Sequence, residues 1–275
     1  MPELPEVETT RRGIATIMPG HVLERVLVHE PRMRWPVPGD LAALTEGRTV
    51  RSCERRGKYL LINFDHGSMI VHLGMSGSLR RVDHAEPRRK HDHVEWVFSH
   101  ARFLLHDPRR FGAVLWHDTA TGPVLEHPLL ARLGIEPLNG QLTPAYLHAR
   151  LKGKTVAIKQ ALLAGDIVVG VGNIYASEAL FRARINPRAS AGRLSLQRCA
   201  RLCQTIQDTL NDALRSGGST LRDYVNSSGQ PGAYFEIHAA VYDRENQPCR
   251  TCSTPIRRIV QGQRATYYCP ACQRR

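Results

Sequence analysis

Four of the seven cysteines stand as Cys249-x2-Cys252 and Cys269-x2-Cys272, with 16 residues between the pairs, and no other feature restricts the fold of this chain as strongly. Two thiolates in each tight knuckle offer tetrahedral sulfur ligation to zinc, with bonds of about 2.3 Å. Four thiolates fill the coordination sphere, so such a zinc is structural and keeps no open position for a catalytic water. A hairpin of about 25 residues has too small a core to fold without its metal. The strip is also basic. From Arg244 to Arg275, seven arginines face the single acid Glu245, a composition suited to phosphate. The other cysteines, Cys53, Cys199 and Cys203, read as buried small hydrophobes. An odd total with four residues in a metal pattern argues against a disulfide framework.

The basic character extends to the whole chain. Lys and Arg total 38 against 25 Asp and Glu in 275 residues, for a net charge of +13. A surplus of that size concentrates the protein near polyanions and makes binding salt-dependent, so nucleic acid is the first partner to consider. No stretch approaches the roughly 18 apolar residues of a membrane span. The start Met1-Pro2-Glu3-Leu4-Pro5-Glu6 is acidic and lacks the charged and apolar regions of a signal peptide. A cytoplasmic protein is expected.

Periodicity divides the chain. Leu4, Val7, Ile14 and Ile17 or Met18 recur near helical spacing in the first ~20 residues, with Pro5 and three glutamates suited to a first turn. Short β-type runs follow at residues 22–28, 48–53, 58–64, 68–73, 94–98, 102–106 and 113–117, separated by Gly, Pro, Asp and His clusters. That spacing predicts an antiparallel sandwich or barrel. Residues 134–144 are linker-like, and helices are expected at 144–151, 157–164, 174–182 and 196–214. Residues 216–234 are loop-like and the last ~35 read as short strands around the cysteines. The expected fold is therefore α+β and multidomain. It comprises an N-terminal helix with an antiparallel β-sandwich (1–135), a helical domain (136–235) and a C-terminal β-hairpin zinc finger (236–275).

Several residues bear chemistry. With Met1 removed, Pro2 exposes a secondary α-amine that is partly free base at neutral pH, unlike a normal lysine. Such an amine can attack a sugar carbon and form an iminium, and Glu3 beside it can move a proton to or from a leaving group. A processed, inert terminus is the plain alternative. Lys58 lies in a basic turn before a strand. His72, Met75, Lys90, His91 and His93 fall in or near turns, where histidines are usually surface or capping groups. Asp107-Pro108-Arg109-Arg110-Phe111-Gly112 places two arginines and an aromatic on one bounded loop. That loop is either a wedge for a base stack or a turn whose Phe packs inward.

Together these segments resemble the bacterial formamidopyrimidine-DNA glycosylase family over essentially the whole chain. The matching motifs are residues 2–9, 56–61, 72–77, 90–93, 107–112, 170–178 and the finger ending Gln263-Arg264-Ala265-Thr266-Tyr267-Tyr268-Cys269, in order. The resemblance implies a helix-two-turn-helix element in the helical domain and a base-excision-repair glycosylase with abasic-site lyase activity. Such an enzyme removes 8-oxoguanine and formamidopyrimidines from double-stranded DNA as a monomer, with one structural zinc and no redox or nucleotide cofactor. Pro2 would be the nucleophile at C1′ and Glu3 its acid/base partner. Lys58 would bind phosphate and assist β-elimination, and Arg264 would grip phosphates and help the second elimination. Met75, Arg109 and Phe111 would fill the gap left by the flipped nucleotide. Asn173 would bind phosphate, with His72, His91 and Lys154 as further DNA contacts. The loop around Ser219, Thr220 and Tyr224 would cover the lesion.

The sequence departs from the family pattern at Asp243, where Gly is usual, and residues 232–238 do not align clearly. The sister enzyme endonuclease VIII shares the Pro-Glu start and the lysine, but the Leu4-Pro5 start and the Met75, Arg109 and Phe111 trio favour the purine enzyme. A non-catalytic zinc-finger damage sensor would explain the charge, cysteines and wedge, but not Pro2, Glu3 and Lys58 together.

Overall fold

The computed structural model describes residues 2–218 and 232–274. They form two compact units, residues 1–131 with 214–235 and residues 132–213 with 236–275.

The first unit opens with helix α1 (Leu4–Ala15), whose Leu4, Val7 and Ile14 are buried. Glu3 and Glu6 form a capping box, and Pro5 stands in the first turn where no amide partner is needed. The chain then runs through β1 (Val22–Leu23), β2 (Arg25–Val28), a short helix α2 (Leu41–Thr45), β3 (Arg48–Thr49), β4 (Ser52–Arg56) and β5 (Tyr59–Asn63). It continues through β6 (Gly67–His72), β7 (Ser78–Val82), β8 (Asp92–Phe98), β9 (Ala101–His106) and β10 (Ala113–Asp118). Two antiparallel four-stranded sheets result, ordered β10-β6-β5-β4 and β2-β8-β9-β7. Alternate residues from both, among them Leu60, Ile62, Met69, Val71, Trp96, Phe98, Phe103 and Leu105, join one core. The Trp96 Nε1–H reaches the Met69 Sδ at 3.2 Å between the sheets.

Two expected strands are each interrupted. Residues 22–28 split into β1 and β2, and 48–53 into β3 and the start of β4. Strand β7 and helix α2 escape the sequence reading: Leu79-Arg80-Arg81-Val82 hides two arginines in a strand, and one of them, Arg80, is buried by pairing with Asp92.

The second unit contains α3 (Pro144–Leu151), α4 (Ile158–Ala164), α5 (Asn173–Arg182) and most of α6 (Leu196–Arg215), close to the expected spans. Thr143 caps α3 by accepting from the Tyr146 N–H. A short helix, α7 (Tyr234–His238), occupies part of the segment that did not align. The chain closes with the hairpin β11 (Arg257–Gln261) and β12 (Arg264–Tyr268). The departure at Asp243 has a local cause. Its φ is +59°, a left-handed position that Asp tolerates better than most residues, and its carboxylate accepts from the Tyr267 hydroxyl at 3.2 Å. Among the described residues no helix is long and apolar enough to cross a membrane.

Candidate active site and nucleic-acid interface

Strand register explains why distant motifs meet. Arg56, Tyr59, His72 and Ala113 stand in one row across β4, β5, β6 and β10. Ser78, His106 and Asp92 stand in one row across β7, β9 and β8. Residues 73–77 and 107–112 cross from one sheet to the other between these rows. The turn with Lys58, the crossover with Met75, the turn with His91 and the crossover with Arg109 and Phe111 therefore emerge at one end of the sandwich. Met75 (38 %) and Phe111 (43 %) are exposed there despite being large and apolar. The Arg109 guanidinium lies 4.8 Å above the Phe111 ring.

The amino terminus is tied to the same unit. Pro2 and Glu3 are buried at the start of α1, and Glu6 Oε2 accepts from the Glu3 N–H at 2.7 Å. Helix α1 packs on β4 and β5. Glu8 fixes that contact, bonding Arg11 and Arg12 on its own helix and Arg55 Nε at 3.1 Å. Burial pushes the Glu8 carboxyl up, but the three guanidiniums outweigh it and bring it to about 2. Arg55 in turn donates to the Gly57 carbonyl at 2.9 Å, in the two-residue turn that presents half-buried Lys58. Gly218 favours glycine, because its φ of +90° strains residues with a Cβ and a Cβ there would crowd Glu6 Oε1 at 3.0 Å.

His72 links Lys58 to the Met75 turn. Its ring packs at a tilt of 48° against Tyr59, centroids 4.8 Å apart, and its Nδ1 accepts from the Gly74 N–H at 3.0 Å. Burial, then the charges of Lys58 and Arg34, lower its pKa to about 4, so the ring is neutral with the proton on Nε2.

In the second unit Arg264 begins β12 and is exposed at the hairpin tip, after Gly262 and Gln263 with φ of +52° and +61°. Both central positions being left-handed is the geometry of a type I′ turn. Asn173, the first residue of α5, directs its amide to the Ala265 carbonyl at 2.9 Å and the Tyr242 hydroxyl at 3.3 Å. Lys154 bonds Asp166 at 3.1 Å.

The four zinc-pattern cysteines converge. Their sulfurs all lie within 4.8 Å of one another. Cys249 and Cys272 are 3.9 Å apart, and Cys252 is 3.5 Å from both Cys269 and Cys272. A tetrahedron with bonds of about 2.3 Å has edges of about 3.8 Å, so the thiols fit one zinc. Val241, Ile256 and Tyr267 supply the small core beside them. The site holds one structural zinc.

All three parts of the chain match known proteins. Residues 1–114 match the formamidopyrimidine-DNA glycosylase N-terminal domain, 133–225 the H2TH domain of the same enzymes, and 246–275 a zinc finger found in FPG and IleRS. The chain belongs to the formamidopyrimidine-DNA glycosylase family. A curated formamidopyrimidine-DNA glycosylase of Bordetella pertussis is 68% identical over 275 residues, all of both chains. Among solved structures, the MutM (Fpg) protein of Thermus thermophilus aligns with a TM-score of 0.88 at 39% identity, over 99% of this chain and 98% of that one. A Lactococcus lactis Fpg variant in complex with Fapy-dG-containing DNA aligns with a TM-score of 0.91 at 32% identity, over the full length of both. Membership makes this chain a DNA glycosylase of base-excision repair.

Within this glycosylase, three anchoring residues receive no role from the sequence reading. Lys159, fully buried on α4, donates to Thr266 Oγ1 at 2.8 Å and the Ala265 carbonyl at 3.3 Å, beside Arg264. Glu178 is fully buried and accepts the amides of Ala240, Val241 and Tyr242 at 2.8, 3.0 and 2.7 Å. Burial pushes its carboxyl up against the pull of those amides. Asp107 is buried at the base of the loop that carries Arg109 and Phe111. A charged residue within an apolar helical pattern was the one available signal for the first two. The remaining cysteines are buried, and burial pushes the Cys53 and Cys203 thiols to about 12 and Cys199 upward, which makes them inert at neutral pH. Ser219, Thr220 and Tyr224 lie outside the described residues.

Proposed function

We propose that this glycosylase removes 8-oxoguanine and formamidopyrimidines from duplex DNA through a Schiff base on Pro2 and then cuts the strand by successive eliminations. The Pro2 nitrogen bonds to C1′ as the glycosidic bond breaks, the base leaves with a proton, and the sugar ring opens to an iminium. The iminium acidifies C2′; loss of that proton expels the 3′ phosphate, and a second elimination expels the 5′ phosphate. Glu3 moves protons at the sugar and base. Lys58 and Arg264 hold phosphates and assist the two eliminations. Met75, Arg109 and Phe111 fill the stack, because the sugar of a stacked base is out of reach until the nucleotide leaves the duplex. His72, His91, Lys154 and Asn173 are further DNA contacts, and the loop around Ser219, Thr220 and Tyr224 covers the lesion.

One observation carries this reading: Pro2 and Glu3 are held at the start of a helix that Glu8 and Arg55 fasten to the Lys58 turn. With Met1 removed, the secondary amine of Pro2 in its uncharged form is the nucleophile. The Fapy-dG complex of the Lactococcus lactis relative supports the substrate class. The chain acts as a monomer in the cytoplasm, at the nucleoid through its DNA contacts. The function proposed divides the chain into a catalytic segment (1–135), a helical segment (136–235) and a finger (236–275).

Borohydride trapping on a duplex bearing 8-oxoguanine opposite cytosine tests the nucleophile, using protein whose Met1 removal is confirmed by mass. An adduct mapped to Pro2 and lost in Pro2→Gly with lesion binding kept is the expected result. Unchanged trapping in Pro2→Gly refutes the assignment. Tight lesion binding without any adduct turns the reading to a damage sensor.

A further inference from the structure

The wedge loop is organised around a side chain to which the proposed chemistry gives no task. Asp107 is completely buried. Its Oδ2 accepts from the Gly112 N–H at 2.7 Å, closing the loop that carries Arg109 and Phe111. Its backbone is engaged on three sides. The N–H donates to the His91 carbonyl at 2.9 Å, and the carbonyl accepts from the Arg110 N–H at 3.1 Å and pairs with His93 Nε2 at 2.9 Å. On either side of it, His91 and Arg110 adopt φ of +74° and +54°, unusual for residues with a Cβ, and such backbone persists where its surroundings over-determine it.

The Met75 turn rests on the same loop. A Cβ on Gly74 would lie 2.4 Å from the Gly112 nitrogen and 2.6 Å from the Phe111 carbonyl carbon, so the two backbones touch. The Gly112 N–H that Asp107 holds thus belongs to the residue that Gly74 packs against.

We propose that Asp107 is a positioning residue that makes Met75, Arg109, Phe111 and the His91 turn one preformed block. Extrusion of the damaged nucleotide depends on this block, and the chemistry at an already exposed sugar does not. This rests on the function proposed above. A wedge works by replacing a stacked base at the moment it leaves, so a loop that must first order itself loses that advantage. The second carboxylate oxygen, Oδ1, is buried with no hydrogen-bond partner among the described residues. One acceptor oxygen therefore does the work, and asparagine can supply it.

The test compares two substrates for full-length protein and for Asp107→Ala and Asp107→Asn. Extrusion is read by stopped-flow fluorescence of 2-aminopurine beside 8-oxoguanine in a fully paired duplex. Chemistry is read by borohydride trapping at an abasic site in an unpaired bubble, where no stack must be opened. Loss of the Gly112 bond should slow extrusion by about tenfold in Asp107→Ala and change bubble trapping by less than about twofold, with Asp107→Asn restoring most of the extrusion rate. Equal losses on both substrates, or no loss on the duplex, overturn the proposal. If the alanine variant does not fold, Asp107→Glu serves, because it keeps the charge and displaces the acceptor by one methylene. Slowed extrusion with unchanged bubble trapping supports the block, and unslowed extrusion overturns it. Failure of the unsubstituted protein to trap at all would count against the function proposed above, and the fluorescence comparison would still decide the role of Asp107.

Discussion

The two units hold their working residues by different means. In the first, the loops with Lys58, Met75, His91, Arg109 and Phe111 leave the ends of strands whose inner faces share one apolar core. Register does the positioning, and polar groups such as Asp92, Asp107 and Glu8 fasten details. In the second, the segment around Arg264 depends on buried polar groups and a metal. Lys159 and Asn173 hold Ala265, Glu178 holds residues 240–242, and Gln273 bonds Ile185 and Cys269. A sandwich core is a sum of many weak contacts, so a single truncation erodes it. A polar hub or a four-ligand metal site fails as soon as one partner is missing, because the others are left buried and unpaired.

Zinc removal should divide the units most sharply. Structural zinc contributes about 10 kcal/mol or more to the folding of small finger peptides, far beyond what Val241, Ile256 and Tyr267 can replace. Chelation, or Cys249→Ser, should abolish amide-exchange protection across residues 246–274, lower DNA affinity and leave residues 52–118 protected. Loss of protection in the sandwich as well would erase the distinction between the units.

The converse experiment is Phe103→Ala. Phe103 is fully buried and meets Phe98 edge-on at 6.0 Å. Its removal should cost about 3–5 kcal/mol in the sandwich by denaturant unfolding, with zinc content unchanged. A cost under about 1 kcal/mol would mean that the core does not hold these loops.

Lys159→Met sharpens the comparison from the other side. The substitution keeps an unbranched apolar stem and deletes the ammonium, leaving Thr266 Oγ1 without that donor. It should cost about 1–3 kcal/mol and, on the role proposed for Arg264, slow strand cutting more than base release. Equal effects on both steps would separate Lys159 from Arg264.

This difference also explains what the sequence discloses. Period-2 alternation and turn residues locate most strands of the sandwich, because an apolar core imprints its spacing on the chain. The same signal fails for β7, where Arg80 is buried by its pairing with Asp92 rather than by apolarity. The zinc site is legible because ligand spacing is a local property. The hubs are not, since a separation of 107 positions between Lys159 and Thr266 leaves no periodic trace. Asp107 was visible as part of a motif, but its bond to Gly112 needs the crossover geometry that only the paired sheets supply. Resemblance assigns chemistry to Pro2, Glu3 and Lys58, while the Glu8–Arg55 tie between their elements leaves no signal in the sequence.

The smallest effect concerns His72, a polar fastening inside the apolar-core unit. Its folded pKa of about 4 lies well below the ~6.5 of an unfolded histidine, because burial first, and then Lys58 and Arg34, oppose the charged ring. The unfolded chain therefore binds the proton more readily, so stability is full above about pH 6.5 and falls as the pH drops toward about 4. Protonation also removes the Nδ1 lone pair that accepts from Gly74, so the Met75 turn should loosen in the same range. His72→Asn keeps a side-chain acceptor but does not titrate. Thermal melts from about pH 7 to about 4.5 should show a shallower decline for this variant than for the parent, with the curves closest at neutral pH. Glu8 provides the internal contrast. Its carboxyl is held at about 2, so the stability it contributes is kept through this window and is lost only as the pH falls below the ordinary glutamate range. Identical slopes for His72→Asn and the parent would mean that the acid sensitivity of the unit arises elsewhere, and that this fastening, unlike the hubs of the second unit, can be released without consequence.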